Sequence, residues 1–226
     1  MKRIVSFVFI VVILFLGANA FSEVFKDIFN KEIYKYKKAI VQNPNDPTLH
    51  IKIANTYLLS GKYKKAIKHL SKVIELQPQR TETYASLGNA YGALGLYEEK
   101  IRVLEKTLTI EPNSAGAHIR LGNANAAIKR HKKAREIYEH ALKIDPRYPN
   151  LHYLIGLSYY NSNQYNDSIK LLKKEIRLNR TNHEAHHILG LIYLQQGHYN
   201  EALAQLQKAI SINPSLVKTN SIKKRA

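Results

Sequence analysis

A proline recurs along this chain with a period of 34 residues. Pro44, Pro78, Pro112 and Pro146 are one period apart, and Pro214 falls two periods after Pro146; Arg180 stands at the missing beat. A self-similar period of this size constrains a fold more tightly than composition does, because each unit must be one small element repeated. The clearest unit, 81–114, reads Tyr84-x-x-Leu87-Gly88-x-x-Tyr91, then Gly95, Tyr97, Leu104 and Pro112. In that register five units follow one another: 47–80, 81–114, 115–148, 149–182 and 183–216. A half unit, roughly Phe25 to Asp46, precedes them.

Within a unit, apolar or ring-bearing residues at positions 4, 7, 8 and 11 form one stripe of an α-helix. Position 8 is always small: Ala54, Gly88, Gly122, Gly156 and Gly190. Absence of a side chain there lets a second helix approach closely. Its own stripe runs through positions 17, 20, 24 and 27, which are Tyr63, Ala66, Leu70 and Val73 in the first unit. Proline near each unit's end disfavours helix in the residue before it and stops the pair. One pair cannot bury both stripes, so neighbouring pairs must stack.

The turn between the two helices sits at position 15, where the first helix should end on a left-handed residue. Gly61, Gly95 and Gly197 suit it; Lys129 and Asn163 replace glycine in units three and four. Lys100 and Ser168 also depart from the usual Ala at position 20, and Arg180 from Pro. Units three and four are therefore expected to be the softest.

The pattern resembles the tetratricopeptide repeat, most clearly in the last copy: His186, Leu189-Gly190, Tyr193, Gly197, Tyr199, Ala202, Leu206, Ala209 and Pro214. The resemblance implies an all-α fold, a right-handed α-solenoid of helix-turn-helix repeats. It also implies a non-catalytic adaptor that binds peptides or helices in a concave groove. The family usually adds a polar capping helix after the last repeat. Here only Ser215 to Ala226 remain, with 217–226 a basic tail, so the C-terminal end is weakly covered and open to self-association.

Met1-Lys2-Arg3, the apolar run Ile4 to Leu16, and Gly17-Ala18-Asn19-Ala20 have the layout of a secretory signal. Residues 1–20 are read as a signal peptide cut between Ala20 and Phe21, or as an uncleaved anchor. Either way the repeats are expected outside the cytoplasm, periplasmic or tethered to the inner membrane, because the positive end stays inside. Residues 21–46 read as an amphipathic capping helix, with an interfacial membrane helix as the alternative.

Composition limits the chemistry. There is no cysteine, which excludes disulfides, thiol catalysis and Cys-based zinc sites. No phosphate-binding glycine loop and no H-E-x-x-H motif is present, so no catalytic residue and no cofactor is assigned. His183 and His187 share a helix face and form the strongest metal candidate. His186 falls on position 4 beside His50, His118 and His152, however, so it belongs to the packed stripe and no metal site is assigned.

The formal net charge is +18. The lysines cluster on second helices, as in Lys64, Lys65 and Lys68, and the family's convex face carries those positions. A solvated face and contact with an anionic membrane are the two readings of it. Nucleic acid is not expected, since aromatics are not interleaved with the charge in sequence.

The resemblance places the peptide groove on first-helix positions 2, 5, 6, 9, 12 and 13. Candidates are Lys52, Asn55, Asn89, Arg120 and Asn123 toward the N-terminal repeats. Tyr153, Leu157, Tyr160, Asn161, His187, Leu191 and Leu194 form a more apolar wall toward the C-terminal ones. An Asn amide both donates and accepts, so a row of them suits a peptide backbone. Gly92, Ala93, Ala126 and Ala127 leave space beside two of them. The family's carboxylate-clamp pattern is matched only by Asn55 and Arg120, which argues against capture of a C-terminal carboxylate. A membrane-surface scaffold and a noncatalytic subunit of an envelope enzyme complex are the alternative functions.

Overall fold

The computed structural model describes residues 18–216. Residues 1–17 of the 1–20 leader and the tail 217–226 lie outside the described residues. Every regular element among those described is a helix. A long helix, α1 (Ala18–Gln42), comes first. Five pairs follow: α2 (Pro47–Leu59) and α3 (Tyr63–Leu76), α4 (Thr81–Ala93) and α5 (Tyr97–Ile110), α6 (Ala115–Ala127) and α7 (His131–Ile144), α8 (Leu151–Asn161) and α9 (Tyr165–Leu178), α10 (His183–Gln195) and α11 (Tyr199–Ile212). The point at which the leader was expected to be cut, Ala20–Phe21, lies in the first turn of α1. Among the described residues no helix is long and apolar enough to cross a membrane.

Local chemistry sets the ends of these helices. Asp46 accepts from the Thr48 amide at 2.8 Å, with Pro47 at the first helical position of α2. Ser114 and Asn182 cap α6 and α10 through the amides of Ala117 and Ala185, at 3.3 and 2.9 Å. Each turn at position 15 is left-handed, glycine or not. Gly61, Gly95 and Gly197 have φ of 69°, 73° and 78°, and Lys129 and Asn163 have 62° and 58°. The register read from sequence therefore holds at units three and four as well, at the expense of strain in Lys129.

Contacts divide the chain into two compact units, one ending at Val103 and one beginning at Leu104, with the boundary inside α5. In the first unit, Ile33, Tyr36 and Ile40 of α1 pack on Ile53 and Tyr57 of α2 and Ala66 of α3. The next layer joins Ala54, Leu70 and Leu87. Val24 and Ile28 share the stripe of Ile33 in sequence, but both are exposed. At 1.5 Å per residue, α1 spans roughly 37 Å against about 20 Å for α2, so its N-terminal half overhangs the first repeat.

In the second unit, Ile119, Ala134, Tyr138, Ala141, Leu151 and Ile155 form one core layer and Leu172, Ala185, Leu189 and Ile192 the next. The first helices α8 and α10 also touch each other directly. The small residue at position 8 explains the closeness of each pair. A Cβ on Gly190 would lie 2.7 Å from Leu206 Cγ, and one on Gly122 would collide with the Tyr138 ring. Gly88 is different: the nearest atom would be Lys100 Cγ at 3.9 Å. Lys100 lays its stem along α4, and its Nζ would stand 3.1 Å from a Cβ on Gly92.

Candidate functional site

The first helices carry the candidate binding residues. In the first unit, Lys52 and Asn55 on α2 and Asn89 on α4 are exposed. Ser86 is not free to bind, because its hydroxyl donates to the Glu82 carbonyl one turn back at 3.0 Å. The space expected beside Asn89 at Gly92 is taken by the Lys100 stem. The exposed polar candidates of this unit are thus Lys52 and two side-chain amides one repeat apart.

In the second unit, Arg120 and Asn123 are exposed on α6. Half of Asn123 is already engaged: Tyr138 donates its hydroxyl to Asn123 Oδ1 at 2.6 Å. Burial raises the Tyr138 phenol well above its ordinary range and keeps it a donor. The Asn123 NH2 group and one lone pair of Oδ1 remain for a ligand. Sequence alone did not show this, because position 24 is Leu in the other copies and Tyr only here.

The apolar wall is thinner than the sequence reading had it. Tyr153, Tyr160 and Ile188 lie against the Leu172–Ala185–Leu189–Ile192 core. Burial pushes the Tyr153 hydroxyl up to about 12, with the Glu184 carboxylate adding to the effect. Leu157 and Leu191 are half-buried, Asn161 is exposed, and Leu194 is 49% exposed. His187 is half-buried on α10, where desolvation and then His183 hold its ring below the ordinary imidazole range.

Outward of these helices, Lys64, Lys65 and Lys68 are exposed. Rings do meet the charge in space: Lys65 Nζ lies 5.9 Å from the Tyr57 centroid, Lys173 Nζ 5.7 Å from Tyr193, and the Arg135 guanidinium 4.2 Å from Tyr159. These contacts cross between first and second helices, so sequence adjacency hides them. On α11, Tyr199, Leu203 and Ile210 are all exposed.

Two of the three clustered histidines are tied to side-chain amides. His186 is 6% exposed and bonded through Nδ1 to Gln205 Oε1 at 2.8 Å, while Asn213 Nδ2 donates to His183 Nε2 at 3.0 Å. No group of three or more His, Cys, Asp or Glu side chains among the described residues is placed to hold a metal. Two polar features escaped the sequence reading. Asn125 sits fully buried at position 11, where the other copies have Tyr, and Asn182 bridges Asn150 Oδ1 and Glu175 Oε1.

Comparison with known proteins agrees with this geometry. A family model of the anaphase-promoting complex, cyclosome, subunit 3, matches residues 127–209. A TPR repeat model matches 54–95, and tetratricopeptide repeat models match 93–157 and 35–68. No curated protein sequence gives a significant match. Among solved structures, a crystal structure of MamA is 27% identical, with a TM-score of 0.66 over 74% of this chain and 97% of that one. MamA 41-end from Desulfovibrio magneticus RS-1 is 24% identical, with a TM-score of 0.68 over 75% and 96%. YrrB, described as a TPR protein with an unusual peptide-binding site, is 22% identical, with a TM-score of 0.64 over 84% and 97%. Period, left-handed turns, helix pairs and these matches converge: the chain is a tetratricopeptide repeat protein with the α-solenoid fold.

Proposed function

We propose that the protein is a non-catalytic interaction scaffold whose first-helix faces bind an extended segment or a helix of a partner protein. The observation that carries this is the exposure of Asn55 and Asn89 at the same register position of successive repeats. An exposed amide both donates and accepts, which is the chemistry needed to pair with a peptide backbone. In the second unit Arg120, the Asn123 NH2 group and the partly exposed Leu157, Leu191 and Leu194 supply a mixed surface of the kind that marks interfaces.

The setting belongs to the same proposal: an exported or membrane-tethered scaffold of the cell envelope, on the strength of the signal-like residues 1–20. Photo-crosslinkers placed at Asn89 and Leu191 in native cells test the binding surface. A single protein captured from both positions, and from neither Lys64 nor Lys68, is the expected result. Sequencing the mature N-terminus tests the setting. Phe21 first means cleavage, Met1 in the membrane fraction means an anchor, and Met1 in the cytosol contradicts export.

A further inference from the structure

At position 4, two rings bond the carbonyl of the proline that ends the preceding unit. His50 Nε2 bonds to the Pro44 carbonyl at 2.9 Å, and the Tyr84 hydroxyl donates to the Pro78 carbonyl at 2.9 Å. In both cases the acceptor is the proline that ends the preceding unit. His186 holds the same position four periods after His50 and three after Tyr84, but the proline beat before it is Arg180. His186 Nε2 is buried without a partner.

Around that orphan nitrogen the side chains are cationic. An open cleft of about 540 Å³ in the second unit is lined by His186, Arg177, Arg180, Lys208 and the apolar Ile176. No carboxylate lines it, and none of the three cations takes part in an ion pair among the described residues. The equivalent cleft one repeat earlier shows what is different. It holds His152, whose Nε2 is also unpartnered, with Pro146 at the position of Arg180. It also holds the buried carboxylate of Glu175, whose register equivalent beside His186 is Ala209. One repeat on, the acid has become a methyl group and the proline a guanidinium.

We propose that this cleft binds a phosphate group. The 2.8 Å bond from Nδ1 to Gln205 Oε1 makes Nδ1 the protonated nitrogen of His186, so Nε2 carries the lone pair. A phosphate oxyanion with one remaining O–H meets both demands, its hydroxyl donating to Nε2 and its charged oxygens facing the two guanidinium forks. Sulfate and carboxylate have no such proton at neutral pH. The cleft is larger than a bare phosphate ion, within the range of small-molecule sites, so the group is a phosphate monoester, of a small molecule or of a lipid headgroup such as that of phosphatidic acid.

The test uses the full-length protein. Binding of inorganic phosphate, sulfate and glycerol 3-phosphate is followed by NMR through the backbone amide signals of Ile176, Arg177 and Lys208, which line the cleft, in excess chloride. Vesicles of phosphatidylcholine with and without phosphatidic acid form the second arm. Arg180→Pro removes a cation while installing the residue that the other repeats carry, and Asn179 is already extended (φ −133°, ψ 91°) as a following proline requires. His186→Phe keeps a packed ring without its nitrogens. The expected result is saturable binding of a soluble phosphate or of the phosphatidic acid vesicles, weakened at least tenfold by either variant, with sulfate binding at least fivefold weaker. Responding vesicles without responding soluble phosphates assign a headgroup, and the reverse assigns a free metabolite. Absence of saturable binding in both arms, binding unchanged by both variants, or sulfate binding as tightly as phosphate overturns the proposal.

Discussion

Single residues at one register position behave differently according to what faces them. Gly88 and Gly122 both occupy position 8, yet only Gly122 meets the ring of Tyr138. Gly88→Ala should stabilise by up to about 1 kcal/mol, the helix-propensity gain with room for the methyl. Gly122→Ala should destabilise by about 1–3 kcal/mol despite the same gain, because the ring must move. Urea melts of the two variants read this directly, and equal effects would contradict it. Lys129 has φ of 62°, so Lys129→Gly should raise stability by up to about 1 kcal/mol. A loss in the same melt would mean the strain is absent. The left-handed turn at Lys129 and the small residue at Gly122 were both legible in the sequence, because backbone geometry repeats with the period. The bond between Tyr138 and Asn123 was not, since it arises from one substitution in one copy.

At the scale of the helix pair, polar ties decide where sequence departs from pattern. Ser168, at a position usually Ala, is fully buried and donates to the Gly156 carbonyl at 2.8 Å, so unit four is less soft there than its sequence reads. His69 on α3 bonds His50 at 3.0 Å. Burial, then His50, Lys68 and Lys37, lower its pKa from 6.5 to about 4. The folded state therefore binds fewer protons than the unfolded state between those values. Stability should be level above pH 6.5 and fall as pH drops from about 6.5 toward about 4. His69→Leu should remove part of that fall; an unchanged pH profile of the urea midpoint would refute the assignment. Arg180→Pro should stabilise by about 0.4–1 kcal/mol through the unfolded state, since Asn179 is already extended. The histidine pair is not legible in the sequence, because residues 19 apart meet only after the two helices pack.

For the whole molecule, fold and site were legible to different degrees. The period gave the helix pairs, the turns and the stripe assignments, because stacking requires the same contacts in every copy. The candidate binding surface was legible as a list of positions but not as a surface. Tyr153 and Tyr160 are spent on the core and Gly92 on Lys100, while Asn55, Asn89, Arg120 and Leu194 remain outward. The central claim is that these first-helix residues, not the outward lysines, bind the partner. Calorimetry with the partner segment identified by crosslinking measures it most directly. Asn55→Ala with Asn89→Ala should weaken binding by about 2–3 kcal/mol, two backbone hydrogen bonds at about 1–1.5 kcal/mol each. Lys64→Ala with Lys65→Ala and Lys68→Ala should leave the affinity within about 0.5 kcal/mol of the parent, as exposed charges contribute little. Loss of binding in the triple lysine variant with none in the double asparagine variant would contradict the account and move the interaction to the basic second-helix face.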